Sequence, residues 1–501
     1  MGNLLVAPIT DKETHRGVSE DGIEYGVSSM QGWRVHMEDA HICETVLFAE
    51  QLKNDPQTCQ EISNDDNNQN ENGDEIEEDN NEISISSNDE SATDSKRAKT
   101  NGDVQTDDTV SVQEYTQIEL KGHCLFAVFD GHGGTFAAEY AGLNFKRVLS
   151  RQPALVEYAN FLQEATGKDD SHDDNVVSPH AKAQFNRQGL ELLEKALKDA
   201  FLDIDREIWR WINGKTCGPD CILPSKKQDD EDEHLDNNDE KMGEDYDSDA
   251  ELDVEEQRRI LESEDDIWRS QQDAGTTATV VILTPTLILC ANAGDSRAVY
   301  SKNGHSTIPL SYDHKPDDEA EERRIYEAGG FVRGSRVEGD LAVSRGLGDF
   351  RFKESALYEA MGMNPVSFSN YGNENGRKRK GTMGNVDSPQ DQKVSPLPDI
   401  VVQNRNPDLD EFIVIACDGI FDVQTNHECI SMTAEIFQDG ERDLGLVCEE
   451  ILDMCLDKGS KDNMTALVIK FQAMVVGEGG GVEERRRRRK EKEDECEEYA
   501  S

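Results

Sequence analysis

Apolar residues along the chain come in short blocks bounded by polar or glycine-rich turns. HCLFAVFD (123–130), EFIVIAC (411–417) and NMTALVIKF (463–471) are three. A fourth stretch, ATVVILTPTLILCANAGDSRAVYS (278–301), holds two such blocks around a Thr-Pro turn and a third after GDS. Blocks this short, flanked by turn residues, predict buried β-strands. Residues 24–48 also read as extended. Lys302-Asn303-Gly304 supplies the Asn-Gly signal of a tight hairpin.

Helical spacing shows elsewhere. Leu190, Leu193, Leu197, Phe201, Ile204, Ile208 and Trp211 recur every three or four residues, which predicts a helix over 188–213 with one apolar face. Further helices are expected at about 134–150, opened by GHGG, at 317–328, closed by Gly329-Gly330, and at 426–437 and 443–457. Strands and helices fall in separate runs rather than in strict alternation. The expected class is therefore α+β with antiparallel sheets.

Charge changes the domain picture. The 501 residues carry a formal net charge of -53, from 105 acids against 52 bases, and only 35% are hydrophobic. Residues 61–110 hold sixteen Asp/Glu against three Lys/Arg, and 226–266 hold twenty against five. Such stretches repel themselves and offer little to bury. They mark disordered acidic inserts, bounded at 51–119 and 223–268. A polar and basic loop insert is expected at 353–396 and a disordered charged tail at 476–501. The interrupted remainder of 1–475 forms one catalytic-sized domain. The overall charge disfavours direct nucleic-acid binding.

No apolar run approaches the length of a transmembrane helix, and the N-terminus lacks a signal-peptide pattern. The eleven cysteines are scattered, as in a reducing compartment; Cys124, Cys290 and Cys417 sit in apolar blocks and read as buried. Cys217 and Cys221 could ligate a metal, but no second pair stands near.

Candidate chemistry lies in the aspartates at strand ends. Asp130 follows LFAVF, Asp418 follows FIVIAC, Asp295 follows LILCANAG, and Asp462 precedes the last strand. Converging carboxylates repel unless cations lie between them, and an all-oxygen set suits magnesium or manganese. Taken singly, each Asp is more often a turn residue, and His132 or Arg34 alone a solvated side chain.

As an ordered set they say more. GWRVHMEDAH (32–41), FAVFDGHGG (126–134), GTTA (275–278), NAGDSRAV (292–299), LAVSRGLGDF (341–350), IACDGIFD (415–422) and SKDNMTALVI (460–469) resemble the metal-dependent serine/threonine phosphatases of the protein phosphatase 2C family. The opening MGNLLVAP and the acidic insert before GTTA resemble its gamma-type animal members. The resemblance implies a sandwich of two antiparallel sheets flanked by helices on both faces, with a dinuclear metal site at one edge. It implies two Mg2+ or Mn2+ ions per subunit, a third weaker one, and a monomer.

It also implies roles. Asp130 bridges both metals and Gly131 offers its carbonyl. Asp418 and Asp462 are direct ligands, Glu38 and Asp39 hold metal-bound waters, and Asp295 belongs to the third metal. Asp349 and Asp422 stand in the outer shell. A hydroxide shared by the two ions attacks phosphorus directly. Arg34 binds the phosphate, and His132 protonates the serine or threonine leaving oxygen. The Cys-x5-Arg pattern of cysteine-based phosphatases is absent. Phe421 stands where the family commonly has Trp, and the insert between Asp39 and Asp130 is unusually long.

The expected function is hydrolysis of phosphoserine and phosphothreonine in proteins. The alternatives are a pseudophosphatase and an acidic chaperone-like protein whose inserts hold basic partners. Basic runs at 96–99, 377–380 and 485–490 are of the nuclear-import sort, so nucleus and cytoplasm are the expected locations. Gly2 is placed for N-myristoylation, although Val6 occupies a position that prefers Ser or Thr.

Overall fold

The computed structural model describes residues 4–53, 114–167, 179–213, 220–224, 273–354, 357 and 388–500. Sixteen strands among them run β1 Leu4–Val18, β2 Glu24–Arg34, β3 Ala40–Glu44, β4 Leu47–Leu52, β5 Tyr115–Leu120, β6 Cys124–Phe129, β7 Gly131–His132, β8 Gly275–Thr276, β9 Ala278–Leu283, β10 Leu287–Ala293, β11 Arg297–Lys302, β12 Ser306–Pro309, β13 Leu347–Gly348, β14 Asp399–Asn404, β15 Asp410–Ala416 and β16 Met464–Lys470. Six form one antiparallel sheet in the order β1-β2-β16-β15-β11-β12, and five form a second in the order β14-β10-β9-β6-β3. The helices are α1 Phe136–Ser150, α2 Pro153–Gly167, α3 Pro179–Ile212, α4 Glu319–Glu327, the single turn α5 Asp418–Phe421, α6 Asn426–Gln438, α7 Leu444–Asp457 and α8 Gly481–Ala500.

The period of two along the strands explains the layering. Cys124, Phe126 and Val128 of β6 belong to the core shared with β15, β16, α6 and α7. The alternate residues Leu125, Ala127 and Phe129 belong to the core beneath α1, α2 and α3. Strands β9 and β10 split the same way, Val281 and Cys290 to the first core and Val280 and Leu289 to the second. A strand buried on both faces reads as a continuous apolar run, which is why those blocks stood out. The fold is α+β, with antiparallel sheets flanked by helices, as expected. The hairpin is also in place: Asn303 and Gly304 both have positive φ, 52° and 79°, between β11 and β12.

Several boundaries differ from expectation. Strand β4 runs to Leu52 and β5 begins at Tyr115, so the first insert is narrower than 51–119; residues 54–113 lie outside the described residues. Leu52–Thr116 separate as a unit of their own. Of the second insert, 225–268 lie outside the described residues, as do Gly2, Cys217 and the basic runs 96–99 and 377–380. The expected loop insert 353–396 ends early. Gln392, Val394 and Ser395 are buried, and Arg345 bridges to Ser395.

The charged tail is the clearest correction. Residues 481–500 form α8, anchored by buried Val482. Arg485 pairs with Asp439, Arg486 with Asp453, and Arg489 with Glu450, whose side chain is fully buried. The helix has no apolar periodicity, so sequence pattern gave it no signal. Helix α2 and the long polar strand β1 were also unexpected; β1 is held by its ladder to β2.

Candidate active site

The strand-end aspartates converge. Asp130 lies between β6 and β7, Asp295 in the turn from β10 to β11, and Asp418 at the start of α5 after β15. Ligand oxygens of these three lie within 4.8 Å of one another. Asp39, on the link from β2 to β3, groups with Asp130 and Cys417 in the same way. The backbone N–H of Asp418 donates to Asp130 Oδ2 at 3.3 Å.

Glycines let these segments close. A Cβ on Gly131 would collide with the Glu38 carbonyl, and one on Gly419 with the Asn463 carbonyl. The Asp-Gly pairs are therefore fixed by close backbone approach as well as by turning. Asn463 ties the site together: its side chain accepts from Glu38 N–H at 3.0 Å and donates to the Gln31 and His36 carbonyls at 2.8 and 2.9 Å. Glu38 Oε1 in turn accepts from Gly134 N–H at 2.7 Å.

Electrostatics mark the centre as one built for cations. Burial, with Asp418, Asp39, Asp295 and Asp462 nearby, holds the Asp130 carboxyl far above its usual range. Burial and the neighbouring aspartates do the same to Asp418. Burial, with Asp462 and Glu38 close, pushes Asp39 up to about 7, although Thr465 Oγ1 donates to its Oδ2 at 2.7 Å. Its Oδ1 is buried and has no hydrogen-bond partner. Burial and the Asp39 and Asp130 carboxylates likewise keep the Cys417 thiol protonated. The donor set is thus oxygen, and it fits hard divalent cations, which would relieve both the repulsion and the orphaned oxygen.

The other expected residues surround this cluster, with partners that spacing could not show. Arg34 Nη2 donates to Asp462 Oδ2. Burial opposes the guanidinium charge, but Asp462, Glu38 and Asp418 raise its pKa. His132 Nε2 lies 2.9 Å from each carboxylate oxygen of the buried Asp349. Burial lowers the imidazole pKa, but Asp349 and Glu38 outweigh it and hold His132 toward the protonated form. Asp422 is exposed; partial desolvation raises its carboxyl, with Lys315 and Arg297 acting in the opposite direction.

Two residues escaped sequence reasoning. Lys315 places Nζ 2.5 Å from Asp295 Oδ2, a contact twenty residues distant in sequence with no spacing signal. Lys461 stacks its ammonium 3.7 Å over the Trp33 ring, beside the Arg34–Asp462 pair. Asn463 was within reach, since it directly follows Asp462 in SKDNM.

Residues 220–464 match the family model described as protein phosphatase 2C. The chain is 29% identical over 476 residues to protein phosphatase ppm-1.A of Caenorhabditis elegans, covering 94% of this chain and 64% of that protein. It is 27% identical over 475 residues to protein phosphatase 2C homolog 2 of Aspergillus flavus, covering 94% and 68%. A crystal structure of a phosphatase from Toxoplasma gondii covers 93% of this chain and 97% of its own, with TM-score 0.45 and 16% identity.

Proposed function

Since the chain carries a metal-dependent phosphoprotein phosphatase domain of the protein phosphatase 2C family, we propose that it hydrolyses phosphoserine and phosphothreonine in proteins, using two Mg2+ or Mn2+ ions and a third, weaker one. The observation that carries this reading is the oxygen-only convergence of Asp130, Asp295 and Asp418 beside Asp39. The long acidic insert before GTTA and the opening MGNLLVAP support the further proposal of a gamma-type member.

Asp130, the Gly131 carbonyl, Asp418 and Asp462 would hold the two ions, Glu38 and Asp39 their waters, and Asp295 the third ion. Asp349 and Asp422 stand behind them. When bound, such ions supply an acidified water and a positive field over the phosphoryl oxygens. Arg34 keeps one guanidinium edge on Asp462 and offers its remaining N–H groups to the phosphate. The alkoxide leaving group of serine or threonine needs a proton. With Nε2 committed to Asp349, His132 delivers it from Nδ1, and the Asp349 carboxylate orients the ring.

The test is phosphate release from a phosphothreonine peptide in Mg2+, in Mn2+ and in EDTA. Release is expected with either cation and abolished by EDTA. Full release in EDTA overturns the reading.

A further inference from the structure

Helix α3 carries a carboxylate inside its apolar stripe. Asp205 lies between Ile204 and Ile208, and all three are fully buried. Its Oδ1 accepts from Gly348 N–H at 2.8 Å and lies 2.8 Å from Nζ of Lys353, whose side chain is also fully buried. Lys353 Nζ donates as well to the Gly346 carbonyl at 3.1 Å. One anion from α3 therefore grips both ends of the turn from Gly346 to Lys353.

That turn holds the partner of His132. Gly348 and Asp349 both lie in the left-handed region, with φ of 76° and 55°. For Asp349 this conformation costs energy and persists only where the surroundings over-determine it. Asp349 N–H donates to the Ala274 carbonyl at 3.1 Å. Its carboxylate fills the space where Gly275 lacks a side chain; a Cβ there would overlap it. From this position both oxygens stand 2.9 Å from His132 Nε2.

A buried pair of this kind is a weak source of net stability. Taking two charges out of water costs heavily, and apolar residues of similar volume would join α3 to the strands at least as well. We propose that Asp205 is a positioning residue for proton delivery: through Gly348 and Lys353 it fixes the left-handed turn that sets Asp349 against His132. This rests on the reading of His132 as the general acid. A misplacement near 1 Å in such a constellation can cost ~10²-fold in rate.

The test uses the ratio of kcat/KM on a phosphothreonine peptide to kcat/KM on p-nitrophenyl phosphate, whose leaving group hardly needs a proton. The ratio cancels the fraction of active enzyme, so a partly folded variant still reports. His132→Gln is expected to lower it, which checks the general-acid reading. Two charge-neutral double variants then isolate the clamp. Asp205→Leu with Lys353→Met removes the acceptor for Gly348 and should lower the ratio by about 10-fold or more. Asp205→Asn with Lys353→Met keeps an oxygen for Gly348 and should stay within roughly threefold of the wild type. An unchanged ratio in the Leu/Met protein, with a drop in His132→Gln, overturns the positioning role alone. An unchanged ratio in His132→Gln overturns the general-acid reading, and the positioning role with it.

Discussion

The cost of placing five acids together is legible residue by residue. Asp130 is pressed from all sides by Asp418, Asp39, Asp295 and Asp462, and burial adds to their effect. Asp130→Asn keeps the shape and removes a negative charge that cations would need. Isothermal titration with Mn2+ should show affinity weakened beyond the ~10–100-fold typical of losing an outer hydrogen bond, and turnover should fall with it. Near-normal Mn2+ affinity would remove Asp130 from the ligand set. The sequence placed Asp130 and Asp418 correctly at strand ends, because a short apolar block followed by Asp-Gly is a local pattern. It could not show that Arg34 leans on Asp462 or Lys315 on Asp295, since those contacts join segments far apart in the chain. Asp205 was hidden for the opposite reason: among Phe201, Ile204 and Ile208 it reads as an interruption of the apolar stripe.

At the scale of elements, polar networks decide what hydrophobic spacing cannot. Glu321 on α4 accepts from Arg324 at 2.6 Å, from Ser344 Oγ at 2.7 Å and from Arg345 at 2.7 Å, and Arg345 reaches Asp399 at 2.8 Å. Burial opposes the charge, but the two arginines hold Glu321 down to about 2 from its ordinary 4.5. A depressed carboxylate stabilises above its unfolded pKa, and that contribution disappears as pH falls through the folded value. Glu321→Gln should therefore lower stability by about 3–5 kcal/mol at pH 6, with the gap narrowing between pH 4.5 and 2. Urea midpoints at pH 6 and pH 3 would check it; a gap independent of pH would remove the ionic role. Helix α8 is the second case. It is charged on every side, and its docking depends on Glu450, buried beneath Arg485, Arg486 and Arg489. Glu450→Gln should loosen α8, and limited trypsin digestion should then cut the 485–490 run faster than in the wild type. Equal cutting rates would show that Val482 and the remaining ion pairs suffice. Such a helix is legible only once its acidic counterpart on α7 is known.

For the whole molecule, the burial of β6, β9 and β10 was readable from their continuous apolar runs, whereas the layering came only with the family resemblance and sheet order was not readable at all, because pairings such as β2 with β16 span most of the chain. The site sits where the layers meet. Asp130 and Asp295 extend from strands of the five-stranded sheet, and Asp418 and Asp462 flank β15 and β16 of the six-stranded one. Any cation bound there stabilises the folded state by mass action, by about 2.7 kcal/mol at 100 times its dissociation constant. Addition of Mn2+ to the chelated protein should raise its melting temperature by several degrees, and an unchanged melting curve would mean that the carboxylates do not hold the ion. Mechanically, the ion would then act as a rivet through both sheets. Layers riveted at one edge cannot slide past each other there. Any rearrangement beside the site would then fall to segments that belong to neither sheet.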